Sequence, residues 1–177
     1  MKLQKIIAAA LPVLTCLGVL CLTHTAAAQS LEPSDVQALK ADIAELKSLV
    51  PSQSHAMADV DYHFSNLWFA AKSGNWPLAA FYLNETKSHI NWTVRIHPVR
   101  KLASGQDLDL RPLLQNIEQS GFASAKAAIE KRSFKVFETA YRQTMTQCYA
   151  CHLAAEKPFL RPHIPRSAAT QIIELRP

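Results

Sequence analysis

Residues 133–152, SFKVFETAYRQTMTQCYACH, decide how this chain is read. Phe134, Phe137, Tyr141, Met145, Cys148 and His152 recur at spacings of three and four. That is the period of one face of an α-helix, and a strand would repeat every second residue instead. Ser133 stands where an N-cap is wanted. An apolar stripe of this kind is ordinarily a core face. Here it runs directly into Cys148-Tyr149-Ala150-Cys151-His152, so core and chemistry share one surface.

The last five residues read C-x-x-C-H, the pattern of covalent c-type haem attachment. On a helix, Cys148 and Cys151 share a face and His152 projects to the same side. The two thiols can form thioethers with haem vinyl groups, and His152 is the expected proximal iron ligand. Its second ring nitrogen should find a carbonyl or water that fixes the ring. Competing meanings of the spacing are weaker. A thioredoxin-like motif belongs in a βαβ setting, a zinc site needs a second ligand pair, and a disulfide across one helical turn closes almost no loop.

Outward from this helix, the chain reads as helices separated by turn residues. A first helix is expected over 35–50, capped by Ser34 with Gln37 completing a capping box. Its Val36, Leu39, Ile43, Leu46 and Val50 form a heptad seam of two repeats. The plain expectation is that this helix packs on its own domain, with a homodimer contact as the alternative. A second helix is expected over 53–72 and a third over 76–96. Ser73-Gly74-Asn75 breaks them into a tight antiparallel hairpin. Irregular chain is expected over 97–109. A fourth helix follows over 110–131, with Asp109 as cap and Gly121 weakening its middle. From Lys157, Pro158, Pro162 and Pro165 forbid a regular helix. Ile172, Ile173 and Leu175 then offer a short strand or an apolar latch.

The second axial position of an iron at this motif separates electron transfer from gas binding. On the 53–72 helix, Met57, Val60, Phe64, Leu67, Trp68 and Ala71 share a face at about 100° per residue. Met57 lies near the middle of that face, and His63 near its polar edge. Both are candidate distal ligands, Met57 by position and His63 by chemistry. Their plain alternatives are core packing for Met57 and a solvated pairing with Asp59 for His63. His89, with Glu85 one turn earlier, lacks the E-x-x-H spacing of di-iron bundles.

The N-terminus points to export. Lys2 and Lys5 precede an apolar run over 6–22, and Ala26-Ala27-Ala28 offers a cleavage site before Gln29. An uncleaved anchor is the alternative, disfavoured by Pro12 and the shortness of the run. Cleavage would remove Cys16 and Cys21 and leave 149 of the 177 residues, with 17 basic against 14 acidic side chains. A net charge of +3 on such a chain gives no reason to expect nucleic acid as a partner. The mature chain would keep no stable membrane span.

A signal peptide, several helices and C-x-x-C-H in the last helix resemble the cytochrome c′-type four-helix cytochromes. Tyr62-His63-Phe64-Ser65-Asn66-Leu67-Trp68-Phe69-Ala70-Ala71, followed by Asn75-Trp76-Pro77-Leu78-Ala79, is similar to a group of bacterial exported proteins with C-x-x-C-H near the end. The resemblance implies an all-α, antiparallel four-helix bundle. To it this chain adds an N-terminal helix and an extended proline-rich C-terminal tail. The expected organisation is a signal peptide (1–28), a linker and heptad-like helix (29–52), a helical-bundle haem domain (53–156) and the tail (157–177). The expected protein is periplasmic and carries one covalently bound c-type haem. It transfers single electrons to a periplasmic redox partner and is not an enzyme. The alternative is a five-coordinate gas-binding or sensing haem protein.

Overall fold

The computed structural model of the chain describes residues 32–177. The signal segment expected over 1–28, with Cys16 and Cys21, lies outside them. Helices make up 68% of the described residues and their only sheet has two strands, so the class is all-α. The described residues divide into two units at Ile43–Ala44.

Helix α1 spans Pro33–Leu49. It begins one residue before the expected cap. Proline suits the first helical position because its missing N–H would be unpaired there anyway. The Glu32 carbonyl accepts the Asp35 and Val36 N–H groups, so Ser34 lies inside the helix rather than capping it. No residue of α1 is buried. Val36, Leu39, Ile43, Leu46 and Val50 of the seam are all exposed.

Helices α2 (Gln53–Lys72) and α3 (Trp76–Ile96) have the expected bounds. Between them Gly74 takes φ +75°, a left-handed conformation that costs glycine little. Gly74 N–H donates to Ala71 O and Asn75 N–H to Ala70 O, the paired bonds that close a helix at a left-handed residue. Asn75 then caps α3 by accepting from Leu78 N–H at 3.2 Å. With so short a link, α2 and α3 run antiparallel along their length.

Two segments depart from expectation. The stretch after α3 holds a hairpin, β1 (Val99–Lys101) against β2 (Asp107–Asp109), with Arg100 opposite Leu108. Gly105 at φ +86° permits its turn. The fourth helix is three pieces in line. They are α4 (Arg111–Ile117), a π-helical turn (Glu118–Phe122) and α5 (Ala123–Glu130). The N-cap position is Leu110, without a side-chain cap bond, and Asp109, expected as the cap, stands one residue earlier and accepts from Arg111 N–H at 3.0 Å.

Helix α6 spans Phe134–Ala154 and includes the whole C-x-x-C-H motif. Ser133 is its N-cap by position, although its side chain makes no capping bond. The aromatic stripe is core, as its spacing requires. Phe137 and Tyr141 are buried with Trp68 and Leu67 of α2, Tyr82 of α3 and Phe122 of the π turn. Tyr141 stacks on Phe64 with ring centroids 4.1 Å apart, and its hydroxyl donates to Phe64 O at 2.9 Å. Trp68 meets Phe134 at 5.3 Å and Tyr141 at 5.1 Å.

After α6 the chain takes no further helix or strand. It is nonetheless anchored. Buried Asn66 accepts from the N–H groups of Ala169 and Thr170 at 2.9 and 3.0 Å, and Ile164 and Leu175 pack on the core. The terminal strand expected near Ile172 is not formed. Leu175 alone acts as a latch, while Ile172 is 91% exposed.

Gly121 lies in the π turn that interrupts the fourth helix, and it is also a close contact. A Cβ there would lie 2.7 Å from Thr144 Oγ1 and 3.1 Å from Thr144 Cα, against α6. Glycine-to-alanine within a helix ordinarily stabilises by about 1 kcal/mol. At this position the overpacking should dominate, and Gly121→Ala should destabilise by about 1–3 kcal/mol. Denaturant titration reads the sign, and a raised midpoint would show that the two helices part freely.

Candidate functional site

The α2–α6 register sets the surroundings of the motif. Going up α6, Phe134 meets Trp68 and Tyr141 meets Phe64, so the two helices are antiparallel here. Met57 is seven residues before Phe64, and Cys148 is seven after Tyr141. Seven residues is about two turns and returns to the same helix face. Met57, half-buried, therefore shares the Phe64 face of α2, and Cys148 shares the Tyr141 face of α6. One turn further on, Arg100 bonds Gln53 of α2 and acts electrostatically on Cys151 of α6.

Cys148 and Cys151 are free thiols, both half-buried. Cys148 packs on the core beside Met145. Burial, reinforced by neighbouring Cys151, pushes the Cys148 thiol up to about 12. Burial also raises Cys151, with Arg100 acting in the opposite direction. Both groups are thiols, not thiolates, at neutral pH.

His152 is held by the chain that follows it. Helix α6 closes with Glu156 in the left-handed region at φ +57°, and Lys157 N–H donates to the His152 carbonyl at 2.8 Å. Ser104 N–H donates to the Glu156 carboxylate at 3.2 Å, holding that carboxyl below its usual range. The reversal brings the Leu160 carbonyl 2.6 Å from His152 Nδ1. A carbonyl only accepts, so Nδ1 carries the proton and Nε2 of the neutral ring keeps a free lone pair. Tyr149, inside the motif, secures the same strap. Its hydroxyl donates to Pro158 O at 3.2 Å, and the Arg161 guanidinium lies 5.2 Å from its ring centre.

This donor set fits a covalently attached haem. Two free thiols stand three residues apart in the last turns of one helix. The adjacent imidazole is fixed through one nitrogen and free at the other.

His63 keeps different company. It faces α3, stacked on His89 at 4.8 Å and tilted against Tyr82 at 6.0 Å. Burial, then the neighbouring His89, holds its imidazole below the ordinary value, with Glu85 and Asp59 opposing. His63, Glu85 and His89 each offer a ligand atom within 4.8 Å of the others. Reading along single helices missed this group. The signal lies in the hairpin. His63 and Glu85 are each 11 residues from Gly74, and Asp59 and His89 are each 15 from it. A tight antiparallel turn places such pairs opposite one another.

His97 and His163 are accounted for locally. His97 Nε2 lies 2.9 Å from Pro51 O, and His163 Nδ1 lies 2.8 Å from Ile164 O. Asn91, in a glycosylation-like triplet, is half-buried and donates to Glu118 at 2.6 Å. No described helix is long and apolar enough to cross a membrane.

No protein-family model, curated protein or solved structure matches the chain.

Thiolate is the reactive form of cysteine, so a raised pKa slows alkylation. In the haem-free chain at about pH 8, iodoacetamide should label Cys148 more slowly than Cys151. Both should react more slowly than in the urea-unfolded chain. Equal rates in the folded and unfolded states, read by mass spectrometry, would show that the thiols are not buried.

Proposed function

We propose that this chain is a c-type haem protein that carries single electrons outside the cytoplasm. The observation that carries the reading is the pair of free thiols in the last turns of α6. Beside them stands an imidazole whose Nδ1 is already committed to the Leu160 carbonyl. A bound haem would supply a one-electron couple at its iron.

The chain's own residues divide the remaining work. Cys148 and Cys151 provide the covalent hold. His152 presents Nε2 as the proximal donor, in an orientation set by Leu160 and by the strap that Tyr149 secures. Met57, which shares the Phe64 face of α2, is favoured over His63 as the distal donor, because His63 is turned towards α3. Phe64, Tyr141 and Trp68 form an apolar wall that excludes water from the inner end of the site. Arg100, which acts on Cys151, and Arg161, which lies against Tyr149, would offer positive charge to the carboxylates of a bound haem.

We also infer the finer architecture from packing. Close contacts of α2 with α3 and of α5 with α6 support an antiparallel four-helix bundle, with the α4–π–α5 rod as one member. The N-terminal sequence supports a periplasmic location. The exposed seam of α1 supports a homodimer.

Two measurements test this reading. Haem staining after denaturing electrophoresis should persist in the native sequence and vanish in a Cys148→Ser, Cys151→Ser variant. Persistence in that variant would end covalent attachment as the explanation. Optical spectra should show a low-spin iron that Met57→Ala converts to high spin, with rapid carbon monoxide binding. If the native protein already behaves as that variant should, the protein is a five-coordinate gas binder and not an electron carrier.

For the seam, sedimentation is the direct readout. Deleting residues 35–50 should reduce the solution mass of the dimer to that of a monomer. A mass unchanged except for the deleted segment would remove α1 as a dimer contact.

A further inference from the structure

The α2–α3 hairpin carries a second constellation, which includes His63, the less favoured of the two distal candidates. His63, Glu85 and His89 present two imidazoles and one carboxylate whose ligand atoms lie within 4.8 Å of one another. Two further observations turn this grouping towards a metal ion. First, His89 is oriented. Its Nδ1 lies 3.5 Å from the Asp59 carboxylate, while its Nε2 lies 3.9 Å from Glu85. A small torsional change in the exposed Asp59 would bring its carboxylate onto Nδ1–H and leave Nε2 as the lone-pair donor, the arrangement found behind metal-binding histidines. Second, His63 Nδ1 is buried and finds no hydrogen-bond partner among the described residues. A buried polar nitrogen left unpaired is costly unless something engages it.

We propose that His63, Glu85 and His89 bind one divalent transition-metal ion of the zinc type, with Asp59 orienting His89. Two imidazoles and a carboxylate form a three-ligand set that leaves a fourth position for water. Tetrahedral zinc at about 2.0 Å from each donor needs donors about 3.3 Å apart. The three side chains are half-buried, so changes in side-chain torsion can close the remaining distance. Asp59 and His89 also line an open groove of about 730 Å³ between α3 and the π turn, which gives an ion an entry path. The same donors suit Cu²⁺, and Zn²⁺ is the probe chosen here because it undergoes no redox change of its own.

Titration calorimetry of the full-length protein with Zn²⁺ is the test, with thermal melting alongside. One zinc per chain should bind and raise the melting temperature. His63→Ala and His89→Ala should each weaken binding by at least about 100-fold, since each removes one of three ligands. Asp59→Asn changes an exposed side chain and should weaken binding by about 10–100-fold without unfolding the protein. His163→Ala should bind zinc like the native protein. The Cys148→Ser, Cys151→Ser variant should keep the site, so this proposal stands or falls separately from haem attachment. The haem spectrum should be the same in His63→Ala as in the native protein. Absence of zinc binding would overturn the proposal, as would undiminished affinity in both histidine variants. A changed axial-ligand spectrum in His63→Ala would do so too, by making that residue an iron ligand.

Discussion

The aromatic contact between α2 and α6 is the constraint on which the rest of the site depends. Phe64 and Trp68 on one helix interleave with Phe134, Phe137 and Tyr141 on the other. Aromatic pairs of this kind add about 0.5–1.5 kcal/mol each beyond their buried area. Their larger consequence is geometric. Sliding α6 by one turn would separate Tyr141 from Phe64 and leave its buried hydroxyl without the Phe64 carbonyl. The register of the two helices around Tyr141 is thereby fixed, and Cys148 follows two turns later on the same face of α6.

The same helix serves two neighbours through two faces. Phe64 and Trp68 turn to α6, while His63, one position away, turns to α3. A step of about 100° per residue makes this division unavoidable. Orientation on the α3 side is set by another device, the left-handed Gly74 and the three-residue break around it. Because that link is so short, α3 cannot slide along α2 without undoing the cap at Asn75. Asp59 with His89 and His63 with Glu85 are held by the turn, not by attraction between the side chains. Exposed pairs of this kind contribute little by themselves.

Much of this was legible along the chain, and the limits have physical causes. Periodicity and capping residues located α2 and α3, because Gly74 and Asn75 are strong local signals. The tight approach at Gly121 was not legible. In sequence a glycine within a helix reads as a weak point, and only the neighbour Thr144 shows why a side chain is excluded. The β1–β2 hairpin was missed because three-residue strands carry too few alternations to register. Asp59 was paired with His63 along one helix, whereas in the fold it meets His89 from the next. Contacts made across a turn depend on register, and register is read from the turn only once both helices are known to pack.

The C-terminal tail shows how a segment without regular structure can still be specific. Prolines at 158, 162 and 165 cannot join a helix, and the tail lacks hydrogen-bonded repeats of its own. Its position comes instead from side chains of the helices. Tyr149 holds Pro158 and Arg161, Asn66 accepts two backbone N–H groups at 169 and 170, and Asn75 donates to Arg176 O at 3.3 Å. Each anchor satisfies backbone groups that would otherwise need water. The first anchor has the most direct consequence for chemistry. By fixing Pro158 to Arg161, Tyr149 fixes the Leu160 carbonyl, and that carbonyl sets which nitrogen His152 presents. A residue between the two cysteines therefore acts on the histidine through the tail rather than through the helix.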